Sequence, residues 1–295
     1  MSNVRKHALT SILLLTLCST FVLVAFHPTQ AQTEYSVEIN GYTWDHTTIS
    51  VNIFPRENES WWEPSYLNAT LHAIAQWNNA IQEIASNYTE FSYLSSIRLV
   101  PTITYEAISD FDVYIRWMAE CDSETTIGKT QTSVNLPCTI VDSVIRLAAK
   151  APSGHVMTEV DMQNIVVHEL GHNFGLSHSN YSGDVMYSIV SYRETVKPLS
   201  SLDLYALSQI FEWVSNSTQF SSSNMCPQEA SLTLPSGISY IHLLIAAENL
   251  PVYVPQNLAE FVVGLFVRPE ILVTILVVVT LLAVVIVVKR RKKQQ

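Results

Sequence analysis

Val167-His168-Glu169-Leu170-Gly171-His172-Asn173-Phe174-Gly175-Leu176-Ser177-His178 is the stretch that decides how this chain is read. His168 and His172 are four residues apart, so on a helix they project from one face and can grip one metal ion. Glu169 lies about 100° round the helix from His168, beside the metal without having to be a ligand. Val166, Leu170 and Phe174 form the apolar stripe that seats such a helix in a core. Thr158 with Asp161 caps its start, and Gly175 ends it, because glycine accepts the left-handed backbone a sharp helix stop requires. The turn at Gly175 brings His178 round as a third ligand. Three protein ligands leave one tetrahedral position open, the arrangement of a catalytic rather than a structural zinc.

Outward from this helix the chain alternates between two periodicities. Ile49 to Ile53 alternates and predicts a strand, as do Ile97 to Val100 and Val113 to Trp117. Gly128 to Val134 and Thr139 to Leu147 are read as two further strands. From Ser65 to Ser86, Leu67, Leu71, Ile74, Trp77, Ile81 and Ile84 recur at threes and fours, which predicts an amphipathic helix. A last helix is expected from Ser201 to about Trp213. Strand, helix, several strands, helix, helix is the order of an α+β domain, one twisted sheet packed by helices. Ser215 to Ser223 is polar and reads as a linker. Residues 219–270 are read as a stalk or small subdomain after a domain at 32–218. No internal repeat is visible.

A bare H-E-x-x-H arises by chance in helices that bind no metal. Glycines at 171 and 175 with a third histidine at 178 make a longer pattern, H-E-x-x-H-x-x-G-x-x-H, which resembles the metzincin zinc proteases. Eight residues after His178, Gly183-Asp184-Val185-Met186-Tyr187 supplies the Met-containing turn that such enzymes place beneath the metal. Within that clan the chain is most similar to the matrixins: Ser179 follows the third histidine, Met186-Tyr187 matches their Met-Tyr turn, and Leu199 to Leu204 resembles the start of their C-terminal helix. Leu202 replaces the first of two acidic residues there, and Asp203 is read as structural. The detailed likeness covers about Thr158 to Trp213. No prodomain or cysteine-switch segment is visible, and Ser188 stands where some metzincins carry a metal-approaching tyrosine.

The resemblance implies a zincin domain with a mostly parallel sheet, an active-site helix and a C-terminal helix. It also implies one catalytic Zn2+ on His168, His172 and His178, Met186 as structural support, and a protein or peptide substrate. Glu169 would be the general base on a zinc-bound water. An extended peptide would pair with an edge strand, for which Gly128 to Val134 is the candidate, and Ser188 to Lys197 would wall the side-chain pocket. Calcium is the other ion to weigh: Asp110, Asp112, Glu120, Asp122 and Glu124 are acidic, but their spacing matches no calcium loop and a solvated face explains them. Two rival functions are a surface binding or adhesion protein on the same scaffold, and a zinc hydrolase acting on a non-peptide amide.

Both ends of the chain point to export. Ala8 to Phe26 is uncharged, follows Arg5-Lys6-His7 and precedes Thr29-Gln30-Ala31, which reads as a signal peptide over residues 1–31; an uncleaved anchor is the alternative. Ile271 to Val288 is 18 uncharged residues, roughly 27 Å as a helix and enough for a hydrocarbon core. Five cations follow within residues 289–295, so this tail is expected in the cytoplasm and the catalytic domain outside, on a single-pass membrane protein. Arg268-Pro269-Glu270 before the span also resembles exosortase-type sorting signals, which would exchange the helix for a lipid.

Between residues 32 and 270, nine Lys or Arg face 26 Asp or Glu, leaving a net charge of −17 that argues against nucleic acid as partner. Outside the cytoplasm a Cys121–Cys138 disulfide is plausible, with Cys226 left over or paired to one of them. Five Asn-x-Ser/Thr sites, at Asn58, Asn68, Asn87, Asn180 and Asn216, permit glycosylation.

Overall fold

A computed structural model describes residues 34–243, apart from 107, 122–125, 190–191, 193–194, 217–218 and 222–224. The signal segment 1–31, the span 271–288 and the tail 289–295 lie outside the described residues. Among the described residues no helix is long and apolar enough to cross a membrane.

The strands are β1 (Ser36–Ile39), β2 (Thr48–Phe54), β3 (Arg98–Ile103), β4 (Val113–Glu120), β5 (Gly128–Asn135), β6 (Thr139–Lys150), β7 (Leu176–Ser179) and β8 (Ala230–Thr233). The helices are α1 (Pro64–Asn87), α2 (Glu159–Asn173), α3 (Ser201–Ile210) and the one-turn α4 (Trp213–Asn216), with a 3-10 stretch at Thr89–Ser96. Five strands form one sheet in the order β3-β2-β4-β6-β5. β2 runs parallel to β3 and β4, and β4 parallel to β6, while β5 closes the edge antiparallel to β6. The domain is therefore α+β, as the order of elements predicts, and its main sheet is mostly parallel, as the resemblance implies.

Alternation explains the sheet's sidedness. Val113, Ile115 and Trp117 of β4 are buried, as are Ile49, Val51 and Ile53 of β2. β5 is different: Lys129, Thr130, Gln131 and Thr132 are polar and half-buried or exposed, as suits an edge strand. Against the sheet lie α1 and α2. The α1 stripe of Leu67, Ile74, Trp77, Ile81 and Ile84 is buried, and the Trp77 indole N–H donates to the Val167 carbonyl at 2.9 Å, joining the two helices. α2 begins in the expected capping box: the Thr158 side chain accepts from Asp161 N–H, and Asp161 returns a bond to the Thr158 backbone. It ends before Gly175, whose φ of +100° is the left-handed stop.

A second sheet was not legible in the sequence. β7, immediately after the α2 turn, pairs antiparallel with β1, and β1 pairs antiparallel with β8. The expected helix from Ser201 to Trp213 is broken into α3 and α4 around Phe211. The described part of the expected stalk does not leave the domain. β8 joins the small sheet, and Ser239 to Leu243 runs beside Leu199 to Ser201 through Ser201 N–H to Ile241 O (2.9 Å) and Leu243 N–H to Leu199 O (2.8 Å). Cys138 is bonded to Cys226. Of the pairings left open, the one formed joins Cys226 to Cys138 in place of a Cys121–Cys138 bridge: Cys138 lies just before β6, where the returning segment passes before β8.

Candidate active site

His168 and His172 lie on consecutive turns of α2, and His178 on β7 after the Gly175 reversal. One ring nitrogen of each lies within 4.8 Å of the other two. This is the one group of three or more candidate ligands among the described residues. Tautomers are set by backbone carbonyls: His168 Nδ1 is 2.8 Å from Val185 O and His172 Nδ1 is 2.9 Å from Leu176 O. Each Nδ1–H donates to its carbonyl, which leaves Nε2 with a bare lone pair. Burial lowers the pKa of His168 to about 3, reinforced by His172, and burial also lowers those of His172 and His178. Three neutral imidazoles at one point, two of them with the other nitrogen engaged by a carbonyl, are the donor set a zinc ion takes, so these residues fit the metal.

Glu169 is 4 % exposed and turned toward the sheet edge. The Thr130 hydroxyl on β5 donates to Glu169 Oε2 at 2.6 Å, and the same oxygen is 3.0 Å from the Glu169 carbonyl. On the other side β5 comes so close that a Cβ on Gly128 would lie 2.5 Å from Glu169 Oε1. Burial pushes the Glu169 carboxyl up to about 7, against the pull of the Thr130 hydrogen bonds. A cavity of about 540 Å³ opens over these groups, within the size range of ligand pockets. Gly128 and Thr130 form one wall and Ser188, Ile189 and Tyr192 the other, with the three histidines and Glu169 along it. The Tyr192 ring stacks on His155 at 3.9 Å, and His155 Nε2 is 2.8 Å from Asp161 at the start of α2.

The turn around Met186 touches all three histidines or their neighbours. Val185 O accepts from His168, Met186 O accepts from the N–H of Ser179 next to His178 (2.9 Å), and a Cβ on Gly171 would overlap the Met186 sulfur. Asp184 shapes this turn by accepting from Met186 N–H at 2.9 Å. Lys197 Nζ donates to the carbonyls of Ser182 and Asp184. Behind Asp184 sits Asp203 in the capping box of α3, with Ser200 Oγ 2.7 Å from Asp184 Oδ2 and 2.9 Å from Asp203 Oδ2. Burial, then the neighbouring Asp184, raises the Asp203 carboxyl well above the usual range.

The structure thus brings together every residue singled out for the site: His168, Glu169, His172, His178 and Met186. Of the acidic residues weighed for calcium, the described ones form no group that could hold a metal ion. Asp112 accepts from Ser50 N–H and hydroxyl and faces His46, Glu120 pairs with Lys150, and Asp122 and Glu124 lie outside the described residues. Thr130 and Asp184 were not foreseen, since nothing in a threonine of an edge strand or an aspartate of a turn marks its partner.

A family model described as Matrixin matches residues 43–212, more than half of the chain. No curated protein matches it.

Proposed function

Because the chain belongs to the matrixin family of zinc-dependent metalloproteases, we propose that it is an endopeptidase whose zinc is held by His168, His172 and His178 and whose general base is Glu169. The observation that carries this reading is the triad itself, three ring nitrogens within 4.8 Å of one another beside a buried carboxylate.

Held by His168, His172 and His178, zinc would supply Lewis acidity to a water and to the scissile carbonyl. Glu169 accepts a proton from the attacking water and returns it to the leaving amine. Thr130 holds one carboxylate oxygen, Oε2, and the other, Oε1, lies against Gly128 in the wall of the cleft. β5 is an edge of its sheet, and an extended peptide adds to such an edge through main-chain hydrogen bonds. A peptide on β5 would run beside the cavity that His168, Glu169 and His172 line. Ile189 and Tyr192, 66 % and 43 % exposed, give the opposite wall an apolar lining that favours an apolar substrate side chain.

Extracytoplasmic proteins are the substrates in this reading, with the enzyme held to the cell membrane by residues 271–288. Its support is the uncharged 18-residue run, the cations after it and the signal-like start. The test is incubation of the full chain with mixed denatured proteins, with and without a zinc chelator. Chelator-sensitive cleavage into peptides is the expected result. Intact substrates at every pH and zinc concentration would discard proteolysis in favour of the binding-protein or non-peptide readings.

A further inference from the structure

Residues 225–243 lie beyond the matched family region, yet they are built into the underside of the metal centre. Three attachments hold them there: the Cys138–Cys226 disulfide, the β8 pairing with β1, and the ladder of Ser239 to Leu243 along Leu199 to Ser201. These attachments deliver one side chain to the Met186 turn. Tyr240 Oη donates to Asp184 Oδ2 at 3.1 Å, while the other oxygen of that carboxylate accepts from Met186 N–H. The Tyr240 ring is fixed by Tyr35 (centroids 4.9 Å) and Tyr181 (5.2 Å), the latter between His178 and the turn. Burial, then Asp184, pushes the phenol up, so it keeps its proton to donate.

We propose that the segment 225–243 completes the metal centre, with Tyr240 as a positioning residue that acts through Asp184 on the Met186 turn. The proposal rests on the reading of the three histidines as a zinc site. Its physical basis is a short chain of contacts. Asp184 orients the turn, the turn carries Val185 O, and Val185 O fixes the tautomer and ring orientation of His168. Among the described residues, Ser200 and Tyr240 are the two side-chain hydroxyls on Asp184 Oδ2. Without the phenol the carboxylate keeps one of them, and the turn loses part of what aims it. Outer partners of metal ligands tune affinity by roughly 10- to 100-fold, and a partner one step further out belongs at the lower end.

The experiment measures zinc affinity by chelator competition on the full chain, for wild type, Tyr240→Phe, Asp184→Asn and the double variant. Tyr93→Phe serves as control: its hydroxyl donates to Ser208 O on α3 at 2.9 Å, away from the site. Tyr240→Phe is expected to weaken zinc binding about tenfold and to shift the visible spectrum of the cobalt-substituted protein, while Tyr93→Phe does neither. In the Asp184→Asn background, where the bond to Tyr240 loses its charge, the Tyr240→Phe effect should shrink. Where cleavage is measurable, kcat falls and KM holds. Zinc affinity within twofold of wild type for Tyr240→Phe, equal weakening by Tyr93→Phe, or an undiminished effect in the Asp184→Asn background would each overturn the proposal. A wild type that binds zinc in this pattern but cleaves nothing leaves the proposal standing and removes the proteolytic function. A wild type that cleaves, beside a Tyr240→Phe that binds zinc normally, does the reverse. A wild type that takes up no zinc removes both.

Discussion

Gly171→Ala inserts a methyl group where the Met186 turn already sits. The added Cβ would overlap the Met186 sulfur and lie 2.9 Å from its terminal methyl. Met186 is fully buried, so it has nowhere open to move. Two effects oppose each other. Alanine in a helix interior is better than glycine by about 1 kcal/mol, whereas forcing an extra carbon into a packed core costs about 1–3 kcal/mol. Ordinary carbon contacts are about 3.5–4.0 Å, so the overlap here is deep and the upper part of that range applies. The net loss is then about 1–2 kcal/mol, or roughly 2–8 °C in Tm for a domain of this size. Met186→Ala alone costs about 2–5 kcal/mol as a cavity. With the sulfur gone, Gly171→Ala should turn stabilising by about 1 kcal/mol. Urea unfolding of the four proteins in EDTA, compared at constant m, gives the coupling, expected at about 2–3 kcal/mol. Stabilisation by Gly171→Ala beside an intact Met186, or the same effect in both backgrounds, would show that the Met turn does not seat against α2 at this point.

Thr130→Val keeps the shape of the edge strand and removes the hydroxyl on Glu169. Steady-state kinetics should show kcat down roughly tenfold with KM unchanged, and Thr130→Ser should restore it. Opening the Cys138–Cys226 bridge by a double serine substitution releases a loop of sequence separation 88; by the loop-closure relation this costs roughly 4–5 kcal/mol, read as a lower urea midpoint that reductant does not lower further. Asp203 gives a pH dependence. Its folded-state value is raised above the ordinary 3.8, so the native state holds that proton more tightly than the unfolded chain. The stability it contributes is complete below about 3.8 and is lost as pH rises through the raised value. Asp203→Asn should therefore gain on wild type in urea unfolding as pH increases from 4, and a difference that shrinks with pH would contradict the assignment.

The site was readable because its spacing is dictated by one local element. Two histidines four apart, a glycine stop and a third histidine six residues on need only a helix and a reversal to meet. The sheet was readable where alternation is strong, as at Val113 to Trp117. The small sheet was not. Its strands are four residues each, and pairs such as Val37 with Leu232 join distant parts of the chain. Ala230-Ser231-Leu232-Thr233 is too short and too mixed in polarity to announce a strand. Disulfide connectivity among Cys121, Cys138 and Cys226 likewise depends on which segments meet in space. Thr130 and Tyr240 reach the site through tertiary packing alone, so their roles follow from coordinates and from no local pattern.

The central claim is that Glu169 works as a proton carrier beside a metal that it does not itself bind. The direct measurement is zinc content and cleavage of one peptide by wild type and Glu169→Gln, prepared side by side. The account predicts about one zinc per chain in both, with a fall in kcat of at least 100-fold in the variant. Retention of wild-type turnover by Glu169→Gln, with its zinc in place, would contradict it.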